Sequence, residues 1–130
     1  AMHIFARALA LTFVVSGLGV ICAPKALAAD EPIIVVVRLF PAEGREDEAR
    51  ARLAKLVKFV PANNPGVTFR LHQSTKKPIV FLLYETFPTQ AAFDSQPKTV
   101  LPAFAKEHGA TPEGLWARPN EVELYRMTTD

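Results

Sequence analysis

Pro78 to Phe104 reads PIVFLLYETFPTQAAFDSQPKTVLPAF, and its two halves obey different periods. From Ile79 to Phe87 both alternating sets are apolar: Ile79, Phe81 and Leu83 on one, Val80, Leu82 and Tyr84 on the other. A strand of period 2 with two greasy faces has to be covered on both. Phe87-Pro88-Thr89 breaks the run, and Thr89 is placed to cap a helix opening at Gln90. Beyond it Phe93, Pro97, Val100 and Phe104 recur at helical spacing and predict one apolar stripe, with the amide of Gln96 on its flank.

Upstream, Ile33 to Phe40 (IIVVVRLF) predicts another strand, β-branched and apolar on both faces as far as Arg38. A turn at Pro41–Gly44 leads to a helix from Arg45 to about Val60, with Ala49, Leu53, Leu56, Val57 and Val60 on one side. Glu46, Asp47 and Glu48 fall in its first turn, where the helix dipole favours acids, and Pro61 is expected to end it. After the turn residues Asn63-Asn64-Pro65-Gly66, Val67 to Gln73 alternates cleanly and forms a hairpin with the strand that follows. Glu121 to Met127 alternates again as a last strand, preceded by an irregular run that holds the lone Trp116.

The order is therefore βαββαβ, an α+β, ferredoxin-like arrangement with a four-stranded antiparallel sheet. The two strands that are apolar on both faces suit the centre, giving the spatial order 4-1-3-2. Two helices blanket only one side of such a sheet. The bare side predicts a homodimer, two sheets packed face to face as a dimeric α/β barrel.

An apolar share of 49% against 22% charged describes a globular chain, and 130 residues hold one such domain. The first 28 residues stand apart. Arg7 precedes a nearly unbroken apolar run, Ala8 to Ala23, and Ala26-Leu27-Ala28 fits a leader-peptidase site. Residues 1–28 are thus expected to be a signal peptide, or else a retained N-terminal helix, with the domain spanning 29–130. The run is shorter than the ~20 residues a spanning helix needs, so no stable membrane insertion is expected after cleavage. Removing it takes Arg7, Lys25 and the single cysteine, Cys22, and brings the net charge from +2 to zero. Location is then periplasmic or secreted, where a thiol-free domain is at home. No basic patch interleaved with aromatics points to nucleic acid, and His3, His72 and His108 share no metal-ligand spacing.

From Ile33 to Tyr125 the chain resembles the antibiotic biosynthesis monooxygenase family, small dimeric α+β barrels that include quinol monooxygenases. The matching pieces are the IIVVVRLFPAEGRE opening, Asn64-Pro65-Gly66, and Phe69-x-Leu71-His72. Further matches are Phe81 to Phe87 (FLLYETF) and Thr89-x-x-Ala92-Phe93. The family often carries a histidine early in the second helix and another some five residues on; here Gln96 and Leu101 stand there. The resemblance implies oxidation without metal, flavin or other cofactor, on a quinol or polyphenol-like aromatic substrate that supplies its own electrons. For that chemistry the protein supplies a dry, aromatic-lined cavity, a base, and a hydrogen bond to the developing anion.

The catalytic candidates are His72, Glu85 and Gln96. His72 has the chemistry of a base at neutral pH, or is one polar member of an edge strand. Glu85 lies in an apolar strand where burial raises a carboxyl's pKa, or pairs with Arg38 or Arg70. Gln96 orients a substrate oxygen, or is a surface amide. Tyr84, Phe93 and Trp116 are candidate walls of a substrate site, or plain core, and Arg38 and Arg70 hold an acidic ligand or bridge a dimer. The competing function class is a non-catalytic dimeric barrel binding a small apolar or aromatic ligand. Haem is disfavoured: the second helix offers no axial histidine, and His108 lies only near its end.

Overall fold

The computed structural model of the chain describes residues 31–128; the leader expectation, residues 1–28, lies outside them. Four strands and two helical runs alternate: β1 (Ile33–Leu39), α1 (Glu46–Asn63), β2 (Thr68–Gln73), β3 (Phe81–Phe87), α2 (Gln90–Ser95) continuing into α3 (Leu101–His108), and β4 (Glu121–Arg126). The strands are antiparallel in the order β2-β3-β1-β4, the ferredoxin-like arrangement expected from the two greasy central strands. None of the described helices is long and apolar enough to cross a membrane.

Register decides which side chains share a face. Val35 lies opposite Glu85 on β3 and Leu124 on β4, and Glu85 lies opposite Phe69 on β2. Directly opposed residues point the same way. Ile33, Val35, Val37, Phe69, Phe81, Leu83 and Phe87 therefore line the helical side, all buried, with Glu85 among them. Ala49, Leu53 and Val60 of α1 close on that layer. Complete burial of Phe81 and Phe87 contributes about 2–3 kcal/mol each. The other side shows Ile34, Val36 and Arg38, then Leu82, Tyr84 and Thr86, with Thr68, Arg70 and His72 beside them, and among the described residues no helix covers it. Tyr84 is 37% exposed there.

Pro61 does not end α1, which runs on to Asn63 with the proline inside its last turn. That late in a helix only one bond is lost to the missing N–H. Asn63 Nδ2 donates to the Phe59 carbonyl at 2.9 Å and satisfies another terminal acceptor.

The second helical run departs from a plain α-helix in its middle. Thr89 caps it, its Oγ1 accepting from Ala92 N at 3.1 Å. Gln96–Val100 then forms a π-helical turn, closed by Leu101 N–H donating to the Gln96 carbonyl five residues back. Pro97 has no N–H for Phe93, and the Gln96 N–H takes that carbonyl instead. The wider turn resets the phase. Gln96, Val100 and Phe104 face inward and Pro97 is exposed, so the expected stripe holds at its far end and is displaced by one residue at Pro97.

The run after α3 is irregular but pinned. Leu115 is fully buried, Ala42 N donates to its carbonyl at 2.8 Å, and Arg45 Nη1 donates to Glu113 O at 2.7 Å. Trp116 bridges to Pro41, and the Arg118 guanidinium lies 3.5 Å from the centre of the Phe40 ring.

Candidate functional site

A cavity of about 380 Å³ opens between the helical side of the sheet and the second helical run. Val35, Val37, Phe69 and Leu83 form its floor, Leu53 and Leu56 of α1 one wall, and Phe93 with Gln96 the roof. Leu101, Asn120 and Val122 stand at its rim. Its size is that of a small-molecule site, and its lining is apolar with few polar groups.

Among the described residues Glu85 is the only ionisable side chain in that lining. It is 7% exposed, flanked across the sheet by Val35 and Phe69, and makes no ion pair or side-chain hydrogen bond among the described residues. Burial without a partner raises its pKa to about 8, because the low-dielectric surroundings disfavour the carboxylate. The expected pairing with Arg38 or Arg70 does not form, since both arginines stand on the opposite face of the sheet. Arg38 there lies 3.9 Å from both Glu121 and Glu123.

Gln96 is also 7% exposed, turned inward by the π-helical turn rather than left on the helix surface. Its Oε1 accepts from Asn64 Nδ2 at 3.1 Å, and the same Nδ2 donates to the Ala92 carbonyl at 3.0 Å. Asn64 is itself buried, in the turn before β2. Sequence reading took Asn64 as turn chemistry and as part of the Asn64-Pro65-Gly66 family match, not as a residue of the site. Its one outward signal is a side-chain amide beside Pro65-Gly66, which turn geometry alone also explains. Phe93 packs edge-on against Phe87, ring centres 5.4 Å apart, and completes the aromatic wall.

The remaining candidates lie elsewhere. His72, Arg70 and Tyr84 are on the other face, so His72 does not look into the cavity; alternation sets it opposite Phe69, and the register pairs Phe69 with Glu85. His72 borders a separate hollow of about 470 Å³ with Arg38, Leu82 and Glu121. Trp116 faces Leu39 and Phe40 near Arg118, away from Glu85. Of the eight residues singled out, the structure brings Glu85, Gln96 and Phe93 together. Among the described residues no three His, Cys, Asp or Glu side chains cluster at metal-binding spacing.

The family model for antibiotic biosynthesis monooxygenases matches residues 32–98, which span β1 to the π-helical turn. The chain belongs to the antibiotic biosynthesis monooxygenase family. Solved structures bear out the fold. A proposed antibiotic biosynthesis monooxygenase of Caulobacter crescentus superposes with a TM-score of 0.64 at 19% identity, covering 78% of this chain and 93% of that one. A protein of Shewanella oneidensis gives 0.61 at 26%, covering 75% and 92%. One from Bacteroides thetaiotaomicron, described as a possible oxidoreductase, gives 0.62 at 19%, covering 76% and 100%. No curated protein matches the chain in sequence. In this chain Glu85 and Gln96 both line the space between the sheet and the second helical run.

Proposed function

We propose that the chain is a cofactor-independent monooxygenase acting on a quinol or polyphenol-like aromatic substrate, with Glu85 as base and Gln96 as hydrogen-bond donor to the substrate oxygen. The observation that carries this reading is a buried carboxyl, unpaired among the described residues, in a largely apolar cavity. Removing a phenolic proton leaves an anion rich enough to pass an electron to dioxygen. Recombination forms a carbon–oxygen bond, and loss of water from the resulting hydroperoxide leaves a new carbonyl. In balance, a quinol and one dioxygen give a hydroxyquinone and one water. The protein's part is to take the proton at Glu85, hold the oxygen at Gln96 and keep bulk water away.

The homodimer belongs to the same proposal. The uncovered face carries Ile34, Val36, Leu82 and Tyr84, and a second copy buries them at little cost. A periplasmic or secreted setting, inferred from residues 1–28, completes it.

Oxygen uptake with a panel of reduced naphthoquinols and polyphenols tests the reading, after subtraction of spontaneous oxidation. Wild type is expected to consume oxygen, Glu85→Gln and Gln96→Ala to lose at least about tenfold in kcat/KM, and His72→Ala to keep its rate. Binding of the panel without oxygen consumption instead identifies the non-catalytic barrel.

A further inference from the structure

The Asn64–Gln96 contact has a direction that is fixed by a third group. The Ala92 carbonyl only accepts, so the Asn64 atom 3.0 Å from it is the Nδ2 amine. Asn64 Oδ1 lies on the other side, 3.5 Å from Ser95 Oγ. Because the same Nδ2 faces Gln96 at 3.1 Å, the Gln96 atom there must be Oε1. The Gln96 Nε2 amine is left as the free end of a buried amide that lines the cavity, donating to nothing among the described residues.

We propose that Asn64 is a positioning residue that sets the polarity of the cavity: by holding Gln96 through Oε1 it leaves a donor free, so the site takes ligands presenting an acceptor oxygen and disfavours those presenting only a donor. This rests on the cavity being the functional site proposed above, but not on its chemistry. A quinolate or quinone oxygen meets the requirement. A ligand whose single polar group is an N–H leaves the amide unmet in an apolar space, which costs about a tenfold loss of affinity. Glu85 does not blur the choice. Below its raised pKa of about 8 the carboxyl is protonated and serves as donor or acceptor alike.

Two uncharged bicyclic probes of similar size separate the cases: 1-indanone, which only accepts, and indole, which only donates. Their affinities for the full chain at pH 6 are measured by calorimetry. Wild type is expected to favour 1-indanone by about tenfold. Asn64→Ala frees the Gln96 amide to rotate, and the ratio is expected to fall several-fold toward unity. Partial unfolding lowers both affinities alike and leaves the ratio unmoved. In a Gln96→Ala background, Asn64→Ala is expected to leave the ratio unchanged, whereas a merely structural role for Asn64 shifts it equally in both backgrounds. Equal affinities in wild type, no binding of either probe, or a ratio that survives Asn64→Ala overturns the proposal. Failure of quinol turnover with the ratio intact sinks the oxygenase reading and leaves this one standing.

Discussion

Glu85 couples stability and chemistry through one proton. Its pKa is raised to about 8 in the folded chain by burial, against an ordinary 4.5. Between those values the folded state holds more protons than the unfolded one, so stability falls as pH rises through that window and levels above it. The full effect is at most about 5 kcal/mol. Glu85→Gln, which keeps the shape without the charge, is expected to flatten this dependence and to melt higher than wild type above pH 8. Thermal melts from pH 5 to 9 check it. The catalytic slope runs the opposite way. Only the carboxylate takes a proton, so enzymatic oxygen uptake is expected to rise about tenfold per unit below pH 8 and then level. A rate that is flat between pH 6 and 8 removes Glu85 from the role of base.

At the scale of elements, the π-helical turn is what makes Gln96 part of a site. Pro97 causes it by withholding an N–H from Phe93. Pro97→Ala returns that donor and lets the run close as a regular α-helix, which is expected to raise stability by roughly 1–3 kcal/mol. The same change turns Gln96 away from Asn64, so oxygen uptake is expected to fall while the melting temperature rises. Chemical denaturation paired with kinetics reads both. A variant that gains stability with activity unchanged argues that the turn has no functional part. Here the limits of sequence reading are visible. The strands of β1 and β3 were legible because burial on two sides leaves apolar residues in both alternating sets. Glu85 and Gln96 were legible as polar groups in apolar surroundings. The flank position of Gln96 on the stripe was legible too, but its full inward turn was not, since an even helical period puts Pro97 inside and the extra residue of the turn appears only once the backbone bonds are drawn. Nor was the side on which His72 stands relative to Glu85, because that depends on Phe69 meeting Glu85 across the sheet.

Residues 31–128 are organised by the unequal faces of their sheet. The helices cover most of one, while among the described residues the other leaves Val36 half-buried and Tyr84 exposed beside surface ion pairs of Arg38 that contribute little by themselves. Light scattering is expected to give the mass of two chains. Val36→Asp, which sets a charge at the middle of that face, is expected to give the mass of one chain with the helical side intact by circular dichroism. A two-chain mass that survives Val36→Asp points to another contact surface. β4 adds a second asymmetry. Val122 and Leu124 look toward the helical side yet are 51% and 53% exposed, because among the described residues a helix reaches β4 only at its end, where Arg126 Nη2 donates to Gln90 Oε1 at 3.2 Å. The entrance to the cavity lies there, next to Leu101.

Trp116, the one indole in the sequence, is stitched beside Pro41 and Phe40 and takes no part in lining the space around Glu85. Its emission will therefore sense detachment of the strap that carries it and stay dark to whatever fills the chamber. A flat fluorescence titration with an aromatic guest is the ordinary outcome for this molecule, and occupancy has to be followed by heat or by the guest's own absorbance.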